Sequence, residues 1–425
     1  MSRLFKENTL QISFAEQFLL MSDIWIPAFA GMTRKKDVIT YNRRYNVMIS
    51  RFLVQKISES GRVGRLRTAH GELSTPFFMP DATRASVRGL SSQSIFETGV
   101  EAMVVNTYHL MLQPGMELMQ KAGGVHAFMR WNGPLLSDSG GYQVYSLIHK
   151  HPDFGKVTED GALFRSPIDG KRHFLTPETS IDIQFDLGVD MMVCFDDPRP
   201  NDADPNELVA AVERTIRWAK RCKNRYEEQL KIRRLSEESR PLLFGVVQGG
   251  MDIELRKQCA SALVDIGFDG YGFGARHVDV DGNFLEEVLR KTAECIPEES
   301  IRFALGIGTL SDIARAASYG WDMFDCVIPT REGRHGRAFL LDRSFRGDLA
   351  ESVETITITN ERFREDFLPL DTSCKCMACG NSVSRAYIRH LFSVGEPLGS
   401  VLLSAHNLRT YSDFLLRIRD KISES

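Results

Sequence analysis

Two aspartates, Asp138 and Asp325, stand at positions where a carboxylate is unusual, and the pair indicates a site for bond-breaking chemistry. Asp138 ends the apolar run 134–137 and is followed by Ser-Gly-Gly, while Asp325 interrupts the apolar stretch 323–328. A carboxylate in an apolar strand costs free energy unless it is paired or used. Two such groups at one site suit glycosidic chemistry, in which one attacks the anomeric carbon and the other moves protons. A helix cap or a salt bridge is the alternative for each.

A second polar pair, Asp196 and Gln248, also follows apolar runs and suits recognition of a flat base. A carboxylate and a carboxamide together match the donor and acceptor edge of a purine-like base. Tyr142 follows the double glycine after Asp138, and its ring can stack on such a base. The alternative for Tyr142 is a half-buried packing aromatic.

A cysteine-rich motif near the C-terminus indicates a metal site. Cys374-x-Cys376-x2-Cys379 is followed 27 residues later by His406. Three thiolates and one imidazole complete a closed tetrahedral zinc site with no position for water, so the zinc should be structural. His390 is the competing fourth ligand. The other five of the eight cysteines are scattered, which suits a reducing compartment and not a disulfide framework.

The charge balance is close to neutral. The 425 residues include 53 Lys plus Arg and 56 Asp plus Glu, a formal net charge of −3. This excludes a uniformly basic protein that coats nucleic acid, but it permits a local basic track. Basic side chains do cluster in 330–337, directly after Asp325, which suits a phosphate backbone. A solvated charged face is the alternative, and it accounts for most of the arginines nearer the C-terminus.

The elements that must position these side chains follow a strand–helix rhythm from about residue 75. Eight such units in about 260 residues indicate a (β/α)8 barrel, and a doubly wound open sheet is the rival. The predicted strands are 76–80, 102–106, 134–137, 190–195, 241–247, 271–273, 302–306 and 323–328.

A barrel places catalytic groups just after its strands, at the C-terminal mouth. Polar residues and glycines follow six of the predicted strands, as a pocket with close backbone approach requires. Ordinary turns are the alternative for any one of them. The segments are 106–109, 137–141, 195–197, 247–250, 306–308 and 324–326.

Residues 1–47 lack a sustained period, and Met48 begins a stretch of ordinary globular texture. We expect this atypical extension to be the product of a start codon assigned too early, and a dispensable arm is the alternative. We expect residues 48–365 to form the catalytic barrel and 366–425 a zinc-binding subdomain with C-terminal helices. The N-terminal apolar stretch shows neither the roughly 18 uncharged residues of a membrane span nor a signal peptide, which favours a cytoplasmic protein.

The longer motifs around these residues resemble those of the bacterial tRNA-guanine transglycosylases, also called queuine tRNA-ribosyltransferases. The similarity extends from about residue 50 to the C-terminus, and the motifs taken together are highly specific. The matching segments are 106–110, 137–144, 247–250, 322–327, 329–331, 384–387 and the zinc motif.

The resemblance implies a (β/α)8 barrel with a small inserted Cys3His subdomain, one structural Zn2+ ion and a cytoplasmic homodimer. It implies exchange of guanine at the wobble position of GUN-anticodon tRNAs, those for Asp, Asn, His and Tyr, for a free 7-deazaguanine in queuosine biosynthesis. The incoming base would be 7-aminomethyl-7-deazaguanine or queuine. The exchange would proceed by double displacement through a covalent RNA–enzyme intermediate, with the target base taken out of its stack.

The resemblance also implies individual roles. Asp325 would be the nucleophile at ribose C1′ and Asp138 the general acid/base. Asp196 and Gln248 would read the base, and Tyr142 would stack on it. The further substrate-binding positions would be Asp138 itself, Ser139, Gly140, Gly141, Gly274 and Ala275. The RNA-contacting positions would be Gly306, Ile307, Gly308, Thr309, Leu310, Ser311, Asp312, Thr330, Arg331, Glu332, Gly333 and Arg334. The zinc ligands would be Cys374, Cys376, Cys379 and His406.

The chain departs from the family pattern beside the pocket. Gly-Ala-Arg-His stands at 274–277, where the family usually has Gly-Gly-Leu and uses the turn for backbone contacts to the base. Asp81 and Pro198 replace a valine and a cysteine that are common in the family. Two alternatives follow: a same-fold paralog that inserts another deazaguanine or acts on DNA, and a non-catalytic RNA-binding partner subunit. The second is disfavoured because a pure binder needs neither Asp138 nor Asp325.

Overall fold

The structure, a computed structural model, describes residues 50–425, and the expectation for residues 1–47 lies outside this part. Within it, no helix is both long enough and apolar enough to cross a membrane. The strands are β1 (Phe52–Ser58), β2 (Gly61–Thr68), β3 (Gly71–Thr75), β4 (Phe77–Pro80), β5 (Met103–Asn106), β6 (Leu135–Asp138), β7 (Gly155–Val157), β8 (Ala162–Arg165), β9 (Arg172–Leu175), β10 (Met191–Val193), β11 (Leu242–Val247), β12 (Gly270–Phe273), β13 (Ile301–Ala304), β14 (Met323–Cys326), β15 (Arg337–Leu341) and β16 (Val353–Thr357). The helices are α1 (Ser92–Phe96), α2 (Thr107–Leu112), α3 (Met116–Lys121), α4 (Val125–Met129), α5 (Gly141–Lys150), α6 (Pro177–Leu187), α7 (Pro205–Arg233), α8 (Ile253–Ile266), α9 (Glu286–Glu294), α10 (Leu310–Ser318), α11 (Ile328–Arg334), α12 (Arg385–Ser393) and α13 (Pro397–Glu424).

A parallel sheet of eight strands dominates residues 50–425, and its strands correspond to the eight predicted from the sequence. Neighbouring strands follow the order β4-β14-β13-β12-β11-β10-β6-β5. The sheet is nearly closed, because Asp81, just beyond β4, pairs with Val104 of β5. The Ala82 N–H also donates to the Val104 carbonyl over 2.7 Å. This topology confirms the (β/α)8 barrel and rules out the open sheet.

Alternation along the strands divides the core into two layers. Leu242, Phe244 and Val246 of β11 belong to the core inside the barrel, whereas Leu243 and Val247 belong to the core between strands and helices. Successive side chains of a strand point to opposite faces, so one strand serves both layers. This is why the barrel strands are apolar at nearly every position.

A small antiparallel sheet, β1–β3, covers the N-terminal end of the barrel and was not predicted from the sequence. Phe52, Leu66 and Leu73, one from each strand, join the core inside the barrel. Arg62 of β2 is 3% exposed and forms a buried ion pair with Asp322, the residue before β14. The Arg62 Nε donates to Asp322 Oδ1 over 3.0 Å. The ion pair therefore fastens this sheet to the barrel.

Two further antiparallel sheets were also not predicted. β7–β9 lie between α5 and α6, and β15 pairs with β16 shortly before the cysteine motif. β15 and β16 contribute Ala338 and Ile356 to a small third core that contains the three motif cysteines. Helix α13 contacts both this region and barrel elements, including β4 and α11.

We predict that Arg62→Met lowers the free energy of unfolding by about 3–5 kcal/mol, because it removes the guanidinium that pairs directly with the buried Asp322 carboxylate and leaves only the charge of Arg302 nearby. The matched control is Arg65→Met on the same strand, since Arg65 pairs with Glu72 at the surface and such pairs contribute at most about 1 kcal/mol. Urea denaturation measures both values. Equal losses in the two variants would contradict the role given to the buried pair.

Candidate active site and zinc centre

Three carboxylates meet at the C-terminal mouth of the barrel. Asp138 ends β6, Asp325 lies on β14, and Asp81 follows β4. Each stands two residues beyond a side chain of the barrel interior, which is Leu136, Met323 or Met79 respectively. The alternation that places those residues inside the barrel therefore directs the three carboxylates to the top of the same interior. 

Main-chain and amide donors hold the two carboxylates predicted to be catalytic. Asp138 lies opposite Asn106 in the β5–β6 register, and the Asn106 Nδ2 donates to its Oδ2 over 2.5 Å. The N–H groups of Thr107 and Gly140 donate to Asp138 Oδ1 over 3.3 and 3.1 Å. The Gly306 N–H donates to Asp325 Oδ1 over 2.7 Å. Both carboxylates thus have fixed orientations.

Burial at the mouth favours the protonated forms of these carboxylates. It raises the pKa of Asp325 to about 8, with further contributions from the charges of Asp81 and Asp138. Burial raises the pKa of Asp138 to about 7, and the Asp81 charge adds to the effect. Burial raises the pKa of Asp81 to about 6. Like charges in one desolvated site do not ionise together readily, so the mouth retains protons near neutral pH.

The second predicted pair is also brought together. The Gln248 Nε2 donates to Asp196 Oδ2 over 2.7 Å, and both side chains are buried. Burial raises the pKa of Asp196 to about 6, although the bond from Gln248 opposes the shift. Glycines make room for the pair: a Cβ on Gly141 would lie 2.9 Å from Asp196 Oδ1, and one on Gly274 would lie 2.4 Å from Gln248 Nε2.

Two positions near the Asp196–Gln248 pair are notable, Tyr142 for its exposure and Ala275 for its backbone conformation. The Tyr142 ring is 61% exposed at the start of α5, so it is not a packing aromatic and is free to stack on a ligand. Ala275 has a φ of +75°, the left-handed region that favours glycine and costs a residue with a Cβ roughly 1 kcal/mol. Ala275 thus adopts a backbone conformation that a glycine would adopt without this cost.

The segments predicted to contact RNA contain buried, half-buried and exposed positions. Ile307, Leu310 and Thr330 are buried, so their side chains do not reach a surface ligand. Asp312 pairs with His277 over 3.3 Å. The exposed members of these segments are Gly306, Thr309, Ser311 and Arg331. 

Sequence reasoning missed part of the positive surface at the mouth. The charges of Arg88 and Arg331, together with burial as the main cause, lower the pKa of Arg334, so the three guanidinium groups lie near one another. Arg88 lies in the loop after β4, well separated from the 330–337 cluster in sequence. The pairing of β4 with β14 in the folded barrel brings the two segments together.

The predicted metal ligands converge in the third core. Cys374, Cys376, Cys379 and His406 are all buried and close enough to hold one ion, whereas His390 is exposed. The His406 Nδ1 lies 3.6 Å from Cys376 Sγ and 3.4 Å from Cys379 Sγ, close to the roughly 3.5 Å that tetrahedral zinc imposes between such ligands. The His406 Nε2 faces the Phe339 carbonyl at 2.9 Å, which orients the ring as a ligand. The residues fit one structural zinc ion.

The fold and the two centres define a class: zinc-bearing (β/α)8 barrels with a carboxylate-rich mouth. Within it, the chain belongs to the queuine tRNA-ribosyltransferase family, whose model matches residues 57–425. This confirms the resemblance inferred from the motifs.

Curated relatives cover most of the chain. A queuine tRNA-ribosyltransferase of Halothermothrix orenii is 40% identical over 372 residues, which cover 88% of this chain and 93% of the relative. One of Zymomonas mobilis subsp. mobilis is 42% identical over 363 residues, or 85% of this chain and 89% of the relative. One of Acetivibrio thermocellus is 40% identical over 373 residues, with 88% and 93% covered.

We predict that Cys376→Ser loses about one zinc ion per chain and lowers the free energy of unfolding by more than about 4 kcal/mol, because metal binding contributes directly to folding. Elemental analysis and thermal denaturation measure the two effects. Cys295→Ser is the control, since Cys295 lies outside the cluster at the end of α9. Full zinc occupancy in Cys376→Ser would refute the ligand set.

We predict a pH-dependent stabilisation by Asp81→Asn. The folded-state pKa values of Asp81, Asp138 and Asp325 lie above the usual 3.8, so the folded protein binds more protons than the unfolded chain between about pH 4 and 8. The contribution of these three carboxyl groups to stability is therefore fully present below pH 4 and is lost as the pH rises towards 8. Removing one charge should add about 1–3 kcal/mol at pH 8 and little at pH 4. 

The comparison is made by urea denaturation at both pH values, with the exposed Asp265→Asn as the control. A gain that is the same at pH 4 and pH 8 would show that repulsion at the mouth is not its cause.

Proposed function

We propose that the protein is a tRNA-guanosine transglycosylase, a pentosyltransferase of queuosine biosynthesis. It exchanges guanine at the wobble position of GUN-anticodon tRNAs, those for Asp, Asn, His and Tyr, for a free 7-deazaguanine, either 7-aminomethyl-7-deazaguanine or queuine. The observation that carries this proposal is the placement of Asp138 and Asp325 at one barrel mouth, beside the Asp196–Gln248 pair. The names of the relatives support the same activity.

The first displacement uses both carboxylates. The Asp325 carboxylate attacks ribose C1′, the bond between C1′ and the base breaks, and the departing guanine takes a proton from Asp138. The raised pKa of Asp138, about 7, suits a carboxyl group that donates a proton near neutral pH. The reactive form of the site carries a proton on Asp138 and has an ionised Asp325. Because the pKa of Asp325, about 8, is the higher of the two, Asp325 must lose its proton before it attacks, while Asp138 keeps its own. The product is an ester between Asp325 and the RNA.

The second displacement reverses the roles. The Asp138 carboxylate accepts the N9 proton of the incoming 7-deazaguanine, and N9 attacks C1′ while the ester bond to Asp325 breaks. Two inversions at one carbon give net retention, and both carboxyl groups return to their starting protonation states. 

Recognition of the base falls to the buried pair. Asp196 offers carboxylate acceptors and Gln248 offers an amide that both donates and accepts, which matches the edge of a guanine-like base. Tyr142 supplies an exposed ring for stacking. The base must leave its stack to reach this depth, as in other enzymes that act on a nucleobase.

The partners follow from the surface. Arg88, Arg331 and Arg334 form a positive patch suited to the tRNA phosphates around the extruded nucleotide. We propose a homodimer through the zinc-bearing region, where Phe367, Leu368, Tyr387 and Val394 are exposed apolar residues. None of the eight cysteines, which all lie within residues 50–425, forms a disulfide, which supports the proposal of a cytoplasmic location.

We predict that Asp325→Asn abolishes both guanine exchange and the covalent RNA adduct, with exchange lowered by about 10³-fold or more. Exchange is measured as incorporation of radiolabelled guanine into undermodified tRNA, and the adduct by denaturing gel electrophoresis. Asp265→Asn serves as the surface control. 

An adduct that survives in Asp325→Asn would refute the nucleophile. Failure of the unaltered protein to exchange guanine in any tRNA would refute the proposed function.

A further inference from the structure

Arg256 of α8 is an unusual arginine. Its side chain is 1% exposed, and within residues 50–425 it forms no ion pair with a carboxylate. The guanidinium instead lies over the Phe273 ring, 4.1 Å from the ring centre. Burial lowers its pKa to about 9, so it remains protonated at neutral pH and keeps all of its N–H donors. A buried charge without a counter-charge is costly unless its donors are used.

The donors are used on main-chain carbonyls at the mouth. The Arg256 Nε donates to the Gly250 carbonyl over 2.7 Å, and Nη2 donates to the Gly274 carbonyl over 2.9 Å. Nη1 donates to the Val247 carbonyl over 3.3 Å. Val247 and Gly250 stand on either side of Gln248, and Gly274 directly follows β12. One guanidinium therefore connects the end of β11 and the segment after it, which contains Gln248, to the end of the neighbouring strand β12.

The contact of Arg256 with Gly274 affects the Asp196–Gln248 pair, because Gly274 packs against Gln248. The Gln248 amide rests on the Gly274 backbone so closely that a Cβ there would collide with it. Because a peptide is planar and trans, a Gly274 carbonyl that faces Arg256 makes the Ala275 N–H point away from it. The same contact thus sets the entry into the Ala275 turn, whose later carbonyls, those of Arg276 and Val278, are held by Asn201 over 2.8 and 3.0 Å.

We propose that Arg256 is a positioning residue for base recognition, which holds Gln248 and the Gly274–Ala275 peptide in place against Asp196. The inference rests on the proposed function of that pair. Arg256 does not contact the base; it acts through the three carbonyls. Its loss should weaken binding of the free base selectively, because the tRNA surface and the two catalytic carboxylates are supported by other contacts.

The test compares Arg256→Met and Arg256→Lys with Arg302→Met. Arg302 is the matched control because its guanidinium also binds a main-chain carbonyl, that of Ile296 over 3.0 Å, but near the start of β13 at the opposite end of the barrel. Each variant is measured in tRNA exchange for the KM of guanine, the KM of tRNA and kcat, and its melting temperature is recorded. Calorimetric titration with guanine measures base binding without turnover.

We expect Arg256→Met to raise the KM and the Kd of guanine about tenfold or more, with the KM of tRNA within about twofold of the unaltered value. Arg256→Lys keeps a charged donor but loses the planar set of guanidinium N–H groups, so its KM and Kd for guanine should lie between those of Arg256→Met and the unaltered protein. Arg302→Met should lose thermal stability without a change in guanine KM. 

An unchanged guanine KM in a folded Arg256→Met would overturn the inference, as would parallel changes in both KM values. If Arg256→Met does not fold, Arg256→Lys decides by the same criterion. Absence of exchange in the unaltered protein would instead overturn the proposed function on which the inference rests.

Discussion

The desolvation of three neighbouring carboxylates at the barrel mouth is the constraint on which the rest of the structure depends. Asp325 lies on β14 and Asp81 follows the neighbouring strand β4, while Asp138 ends β6, which only β5 separates from β4 in the nearly closed sheet. Repulsion among them opposes folding at high pH, and the main-chain donors of Gly306, Gly140 and Thr107 offset only part of it. The closed sheet, the apolar interior and the buried ion pair of β2 must supply the remaining stability.

The part of the mouth proposed to recognise the base is under a different constraint, which is the space available to side chains. Asp196 and Gln248 are close enough to the chain that Gly141 and Gly274 have no room for a side chain. In the turn after Gly274, Ala275 has a left-handed backbone conformation although it is not a glycine. Strain of this kind persists only where the surrounding contacts fix the backbone, and here side chains from α8 and from the loop before α7 hold the carbonyls of the turn.

The sequence predicted the parts of the molecule in which local pattern and tertiary role agree. The barrel strands are apolar on both faces because both are covered, so each appears as a short apolar run. The three cysteines of the zinc motif are close in sequence, so the spacing predicted them directly. The fourth ligand was open between His390 and His406, and the structure places His406 with the cysteines. β1–β3 were not predicted because these strands contain many charged side chains, and only three of their residues, one from each strand, belong to the core inside the barrel. So few apolar positions do not give a clear strand pattern. Arg256 was not predicted because it binds main-chain carbonyls, which the side-chain pattern does not indicate. Arg88 was not predicted because its neighbours Arg331 and Arg334 are far from it in the sequence.

The zinc centre is structural, yet its contacts lead to the proposed nucleophile. His406 belongs to α13, and the next residue, Asn407, donates from Nδ2 to the carbonyls of Pro329 and Arg337, which bound the segment after β14. One turn further along, the Tyr411 hydroxyl donates to the Gly308 carbonyl over 2.6 Å. Gly308 is two residues beyond Gly306, whose N–H holds Asp325. One helix therefore carries both the metal ligand His406 and contacts to the segments on either side of Asp325 in the sequence, one of which contains the Gly306 N–H that orients the carboxylate.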